Sequence, residues 1–282
     1  MIECRCKLCG TQSSFTEELA GQTVACPNCK QNMEVLFPPL DLPQEVTEGG
    51  SVVYHHEPSF RELEPAIGED ANIELISNHI QEHIGDIGGV FHELVSDLVH
   101  IDIHCVGPSE DRPFHTLVTS GMSDRPMNCP PEEKDCRFAE LMICLPPEWP
   151  LTQSALTSEE NYWPVRWLKR LARFPHEYNT WLYFGHTIPN GDPPEPFASN
   201  TGFTGWILLP PCLVPDTFCE LDLYGDKKIN FLAMLPLYDE EMELKLQSGT
   251  EVVQERLTGR KVTELLDLER LNVAYDDFSP FE

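Results

Sequence analysis

Two Cys-x-x-Cys pairs near the start of the chain constrain its fold more than any other feature. Cys6 and Cys9 form the first pair, Cys26 and Cys29 form the second, and sixteen residues separate the pairs. Each pair can turn tightly and point two thiolates at one ion. Four thiolates make the tetrahedral site that Zn²⁺ prefers, with Zn–S distances of about 2.3 Å. The spacing therefore predicts one structural zinc ion held by these four cysteines.

A redox dithiol or a pair of disulfides is the alternative interpretation of these cysteines. A redox Cys-x-x-Cys motif usually stands alone at the start of a helix, whereas two pairs occur here among strand and turn residues. A segment ending near Leu36 is also shorter than the roughly 40 residues at which a hydrophobic core alone suffices. Zinc can supply about 10–16 kcal/mol of apparent folding free energy to such a module. Cys4 could replace Cys6 as a ligand, but the two-residue loop favours Cys6 and leaves Cys4 a free thiol.

Residues 3–35 (ECRCKLCGTQSSFTEELAGQTVACPNCKQNMEV) resemble the short zinc ribbons placed at the front of many bacterial proteins. The Glu-Leu-Ala-Gly run at 18–21, which leads into the second pair, is typical of that group. The resemblance implies a β-hairpin ribbon with a structural role.

The charge of the chain is negative and unevenly distributed. The formal net charge is −28; residues 1–36 hold three basic and four acidic residues, a net of −1, which leaves −27 for the rest. A nucleic-acid-binding ribbon needs a basic surface that displaces counterions, so this chain is not expected to bind nucleic acid. An acidic body suits a basic protein partner, because complementary potentials steer association. Solubility alone explains the charge equally well.

Composition also limits the compartment. No run of eighteen apolar residues and no N-terminal signal segment occurs, so neither a membrane span nor secretion is expected. Eleven cysteines, an odd number in a zinc-type arrangement, favour a reducing cytoplasm over a disulfide scaffold.

Four regions follow from the sequence pattern: a zinc ribbon at 1–36, a proline-rich acidic linker at 37–70, a globular body at 71–270 and an acidic tail at 271–282. Apolar periodicity in the body predicts both kinds of element. The predicted helices are 71–84, 159–174, 238–246 and 250–257, with a short helix or turn at 91–98. The predicted strands are 99–105, 114–119, 138–145, 180–184, 204–209 and 229–235. This mixture indicates an α+β body with a mixed or antiparallel sheet and flanking helices.

Several stretches of the body, taken in order, resemble the suppressor-of-fused domain in its bacterial form. They are 119–127 (TSGMSDRPM), 139–149 (AELMICLPPEW), 161–175 (NYWPVRWLKRLARFP), 180–190 (TWLYFGHTIPN), 203–211 (FTGWILLPP) and 231–236 (FLAMLP). The resemblance implies a protein-binding domain without enzymatic activity. In animals such domains sequester a transcription factor of the Hedgehog pathway; in bacteria they are associated with immunity proteins that neutralise polymorphic toxins. The N-terminal ribbon and the lack of an evident C-terminal extension depart from the animal type, so the animal partner is not carried over.

The leading hypothesis is therefore a cytoplasmic binding protein, of the kind that inhibits a basic toxin domain. Acidic residues are the preferred contact candidates, and Asp124, Glu140 and Glu148 are expected at the surface. A hydrolase is the main alternative, since Ser123 and Asp124 lie near His115, although neighbours in sequence do not make a triad. A zinc-ribbon transcription accessory protein is a third interpretation, which the low basic content disfavours.

Overall fold

The computed structural model describes residues 2–16, 19–35, 44–56, 65–66, 70–93, 96–223 and 227–275. Three small hairpins occupy its N-terminal part. Their strands are β1 (Ile2–Arg5) with β2 (Gln12–Phe15), β3 (Thr23–Ala25) with β4 (Asn32–Glu34), and β5 (Gln44–Val46) with β6 (Val52–Tyr54). The third hairpin lies within the predicted linker, whose other residues fall largely outside the described ranges, as does the tail from 276.

The body alternates helices with the strands of one large sheet. Its elements are α1 (Asp70–His83), β7 (Ile87–Phe91), β8 (Asp102–Val106), β9 (His115–Ser120), β10 (Ala139–Leu145), α2 (Glu159–Glu177), β11 (Thr187–Pro189), β12 (Gly205–Leu209), β13 (Glu220–Asp222), β14 (Lys228–Leu237), α3 (Asp239–Ser248) and α4 (Thr250–Gly259). None of the helices in the described part of the chain combines the length and apolar character that a membrane crossing requires.

The eight strands form a mixed sheet in the order β11-β12-β14-β10-β9-β8-β7, with β13 paired to β14. Only the central pair, β10 with β14, is parallel among these pairings, and Leu141 lies opposite Leu232 in its register. The predicted α+β class with a mixed sheet and flanking helices is confirmed.

Strand β10 is buried along its whole length, because both faces of the sheet are covered. Successive side chains of a strand point to opposite faces. Leu141 and Ile143 accordingly join the core that contains α2, whereas Met142 and Cys144 join a second core that contains side chains of α1, α3 and α4. This double burial explains why residues 139–145 are apolar at nearly every position.

Helix α2 carries the apolar stripe that its sequence predicts. Trp163, Trp167 and Leu171 are buried, and the two tryptophans pack against Trp206 of β12. Pro164 lies in the first turns, where a missing backbone N–H costs little.

Two sequence predictions about strands are wrong. Residues 180–184 lie outside the sheet, where the backbone N–H of Asn128 donates to the Thr180 carbonyl. Leu182 is buried in the α2 core and Trp181 and Tyr183 pack against it, so burial without strand pairing produced the strand-like pattern. Conversely, β7 was missed, because Gly88 and Gly89 lower strand propensity and are tolerated there at an exposed edge of the sheet.

Candidate functional site

The four predicted zinc ligands come together in the ribbon. The Sγ atoms of Cys6 and Cys29 lie 3.6 Å apart, as do those of Cys9 and Cys26, and all four sulfurs are within 4.8 Å of one another. Tetrahedral ligands at about 2.3 Å from zinc are separated by about 3.8 Å, so the spacing suits a zinc ion. It is far longer than the roughly 2.05 Å of a disulfide bond.

Both cysteine pairs have the same backbone geometry. In the first, the Cys6 N–H donates to the Thr11 carbonyl at 2.9 Å, and the Gly10 N–H donates to the Cys6 carbonyl at 2.9 Å. In the second, the Cys26 N–H donates to the Gln31 carbonyl at 2.8 Å, and the Lys30 N–H donates to the Cys26 carbonyl at 3.0 Å. The residue after each second cysteine is left-handed, with φ +71° at Gly10 and +60° at Lys30. Two equivalent turns thus present two sulfurs each to one point.

The thiols differ in acidity. Backbone N–H groups of Cys9 and Leu8 lower the pKa of Cys6, and the Thr11 hydroxyl at 3.3 Å lowers that of Cys9 to about 5. For Cys29, the backbone N–H of Gln31 lowers the pKa, but burial and the neighbouring sulfurs outweigh it and raise that pKa to about 12. Sulfurs this close cannot all be thiolates without a cation between them, so the donor set fits a divalent metal.

Cys4 is buried but is not one of the four clustered sulfurs. It belongs to β1, where it packs in the small ribbon core with Ile2, Met33 and Val35. Its packing gives it a role in the core and leaves the ligand positions to the two Cys-x-x-Cys pairs.

A link between the ribbon and the body comes from the Arg137 guanidinium, which donates to the Gly21 carbonyl at 2.8 Å.

The structure separates the three acidic residues that were expected to form a contact surface. Glu148 is exposed in the turn after β10. Asp124 is half-buried at the far end of the β9–β10 pair, where it accepts a hydrogen bond of 2.9 Å from Asn72. Since β10 contains seven residues, these two carboxylates lie roughly 20 Å or more apart along the strand direction. They do not form one compact patch.

Glu140 is fully buried, so its expected surface location is wrong. One carboxylate oxygen accepts from the Gly121 N–H at 3.0 Å, the Ser123 N–H at 2.9 Å and the Ser123 hydroxyl at 2.6 Å. The other accepts from the Thr119 hydroxyl at 2.6 Å. Burial raises the pKa of Glu140 to about 7 although these donors oppose the shift. The residue fixes the turn after β9 by receiving its backbone and hydroxyl donors.

The family of the chain follows from comparison with known proteins. The sequence model of the suppressor of fused protein (SUFU) family matches residues 97–271, more than half of the chain. The chain belongs to the suppressor of fused family. The match begins just before β8 and covers strands β8 to β14 together with α2, α3 and α4. It includes neither β7 nor the ribbon. No curated protein sequence matches the chain.

The chain is similar to solved structures of suppressor of fused proteins. A SUFU homologue from Neisseria gonorrhoeae FA 1090 aligns with TM-score 0.53 and 16% identity, over 74% of this chain and 100% of its own. The Sufu-Fu complex aligns with TM-score 0.49 and 15% identity, over 74% and 93%. Drosophila Suppressor of Fused aligns with TM-score 0.47 and 14% identity, over 75% and 52%. The fold likeness rests on the Neisseria structure.

The suppressor of fused body separates the residues of the hydrolytic alternative. His115 opens β9 and Ser123 follows the end of that strand, so the two side chains lie at opposite ends of it. The Ser123 hydroxyl is buried and donates to Glu140. This serine therefore acts as a structural donor rather than as a nucleophile beside a histidine base.

A cleft lies along the face of α2 that carries its basic residues. It has a volume of about 270 Å³ and is lined by Glu93, Tyr162, Arg166, Lys169, Arg170, Arg173 and Glu177. Two of its arginines are neutralised: Arg166 donates to Glu159 at 2.7 Å, and Arg173 donates to both oxygens of Glu93 at 2.6 Å. Acidic neighbours therefore compensate part of the positive charge of this face.

Proposed function

We propose that the chain is a non-enzymatic binding protein of the cytoplasm whose acidic body engages a basic protein partner. Membership of the suppressor of fused family carries the proposal, since the family is one of protein-binding regulators. The net charge of −28 supports a basic partner, because opposite potentials accelerate encounter and favour register. Ser123 is the candidate nucleophile of the hydrolase alternative, and its burial argues against that role.

A bacterial toxin domain fits this partner chemistry. Toxins that act on nucleic acid carry basic surfaces, and an acidic inhibitor can cover such a surface. We therefore propose an immunity-type role, in which the body blocks the toxin's active surface. Glu148 is the preferred contact residue because it is exposed. Asp124, tied to Asn72, is proposed as a second contact only for a partner that spans the β9–β10 pair.

The ribbon is proposed to hold one structural zinc ion through Cys6, Cys9, Cys26 and Cys29. Zinc would neutralise the crowded sulfurs and supply the folding free energy that the small ribbon core lacks. The ribbon residues would then keep the two turns fixed against each other. Asn28 contributes to this, since its amide donates to the Thr11 hydroxyl at 3.0 Å and so joins the second turn to the first.

Affinity capture with the full chain from native cytosol tests the proposal. We expect one stoichiometric partner with excess lysine and arginine, whose affinity decreases as salt rises from 50 to about 200 mM. Co-expression should restore growth that the partner alone inhibits. No partner, or a partner whose binding is independent of salt, would contradict the proposed function; binding without growth rescue would contradict only the immunity role.

Charge reversal locates the contact. Glu148→Lys should slow association of the captured partner, and Glu255→Lys, an equally exposed change on α4, is the matched control. A larger effect at Glu148 supports contact there. Equal effects would show that only net charge matters and would remove Glu148 from the proposed contact surface.

A further inference from the structure

Three side chains at the β7 edge of the sheet form a second cluster of metal-binding groups. The ligand atoms of His92, His100 and Asp102 all lie within 4.8 Å of one another. His92 Nδ1 is 3.0 Å from Asp102 Oδ2, and His100 Nε2 is 3.2 Å from Asp102 Oδ1. None of these residues belongs to the ribbon cluster.

Strand pairing brings these residues together. The antiparallel register places Phe91 of β7 opposite Ile103 of β8, so His92 lies beside Asp102. His100 and Asp102 are two positions apart in extended chain, which directs their side chains to the same side. The sequence hides the cluster because its first member is separated from the other two by a loop.

Hydrogen bonds around His100 assign its tautomer. The Ser96 hydroxyl donates to Glu93 Oε2 at 3.0 Å and lies 2.7 Å from His100 Nδ1. A hydroxyl has only one proton, so Ser96 accepts from His100 Nδ1–H. In the neutral imidazole, Nε2 then carries a lone pair that faces the Asp102 carboxylate. Two lone pairs at this distance repel each other, so either a proton on Nε2 or a metal cation lies between Nε2 and the carboxylate.

Asp102 supports the same conclusion. Its side chain is only 4% exposed, and its Oδ1, which lies 3.2 Å from His100 Nε2, accepts no hydrogen bond from the described residues. A buried carboxylate oxygen that accepts no hydrogen bond is costly unless a cation lies beside it. The His92 side chain is 66% exposed, so the cluster has one buried side and one side open to solvent.

We propose that His92, His100 and Asp102 bind a divalent cation of the zinc class. Imidazole nitrogen and carboxylate oxygen are normal zinc ligands, and three protein ligands leave a position for water. Ser96, held by Glu93, supplies His100 with the outer hydrogen bond that orients a metal-binding histidine. Arg173, which donates to both Glu93 oxygens, holds that outer layer against α2.

Zinc titration of the full chain tests the site. The protein is first loaded with zinc and desalted, and its zinc content is measured; calorimetry then follows further Zn²⁺ binding. We expect one additional ion per chain. Co²⁺ added to the zinc-loaded protein should give a visible spectrum without sulfur-to-cobalt charge transfer, which separates this site from the cysteines. Absence of an additional ion in the wild type, or a charge-transfer band for the added Co²⁺, would overturn the proposal.

Variants assign the added ion to these residues. His92→Ala removes an exposed ligand, and His100→Ala and Asp102→Asn remove the others; each should weaken the additional binding by more than about 100-fold. Ser96→Ala should weaken it by about 10- to 100-fold, the usual effect of an outer partner. His55→Ala, another exposed histidine, is the control and should change nothing. Unchanged binding in His92→Ala and Asp102→Asn would overturn the assignment.

Discussion

The ribbon and the body stabilise themselves by different means. The ribbon core contains six buried apolar or cysteine residues, of which Cys6 and Cys26 are themselves predicted ligands. The body has two apolar cores on opposite faces of one sheet, each with more than twenty buried residues. The few buried side chains of the ribbon include sulfur atoms of the proposed zinc site, whereas the stability of the body is spread over many apolar contacts. A single substitution should therefore destabilise the two regions to very different extents.

Loss of zinc should produce the largest effect and should be confined to the ribbon. Cys26→Ser removes a fully buried sulfur and with it most of the roughly 10–16 kcal/mol that zinc would supply at the proposed site. Hydrogen exchange should show rapid exchange over residues 2–35 and protection in β10 and β14 as before. Cys4→Ser is the control and should keep the zinc stoichiometry. Loss of protection in the sheet would show that the two regions fold as one unit.

A cavity in the body should produce the next largest effect and should leave zinc binding intact. Leu117→Ala empties a fully buried position of β9 and should cost about 2–5 kcal/mol in the free energy of unfolding. The same change at Leu271, which is 70% exposed, should cost far less. Denaturant unfolding followed by tryptophan fluorescence measures both. Equal costs would mean that β9 is not packed as described.

Glu140 gives the body a dependence on pH of its own. Its folded pKa, about 7, is above the ordinary value of 4.5. Between these values the folded state holds a proton that the unfolded chain has released, so stability decreases as the pH rises from about 4.5 to about 7. The free energy of unfolding that Glu140 contributes, and that is lost over this interval, is about 3 kcal/mol.

Glu140→Gln is neutral at every pH and isolates this contribution. The free energy of unfolding of the wild type minus that of the variant should decrease steadily over the same pH interval. The difference is the useful quantity, because the half-buried His176 and His186, whose pKa values desolvation lowers to about 4, act in the opposite direction. A difference that is constant with pH would show that the hydrogen-bond donors keep Glu140 ionised.

The smallest effects should distinguish the two turns of the ribbon. Lys30 adopts a left-handed conformation that costs a side-chain-bearing residue about 1 kcal/mol, and Gly10 adopts the same conformation freely. Lys30→Gly should therefore strengthen zinc retention against a chelator, and Gly10→Ala should weaken it by a similar amount. Changes of the same sign in both variants would contradict the equivalence of the turns.

Sequence reasoning succeeded where a local pattern was tied to burial. The apolar stripe of α2 and the continuous apolar run of β10 predicted their elements, because the 3.6-residue and two-residue periods report directly which faces are covered. It failed at 180–184, where Leu182 is buried outside the sheet, and at β7, whose two glycines hide an edge strand. Neither segment carries a period that reveals its partner.

The sequence by itself determined the cluster of four cysteines and the α+β class, because both depend on spacing within short segments. Only the tertiary structure decided where the charged groups lie. Glu140 is a charged residue of the kind usually found at the surface. It nevertheless lies in the interior, where hydrogen-bond donors of the turn after β9 surround its carboxylate. His92, His100 and Asp102 meet because β7 pairs with β8. Long-range strand pairing sets such contacts, and no local spacing encodes it.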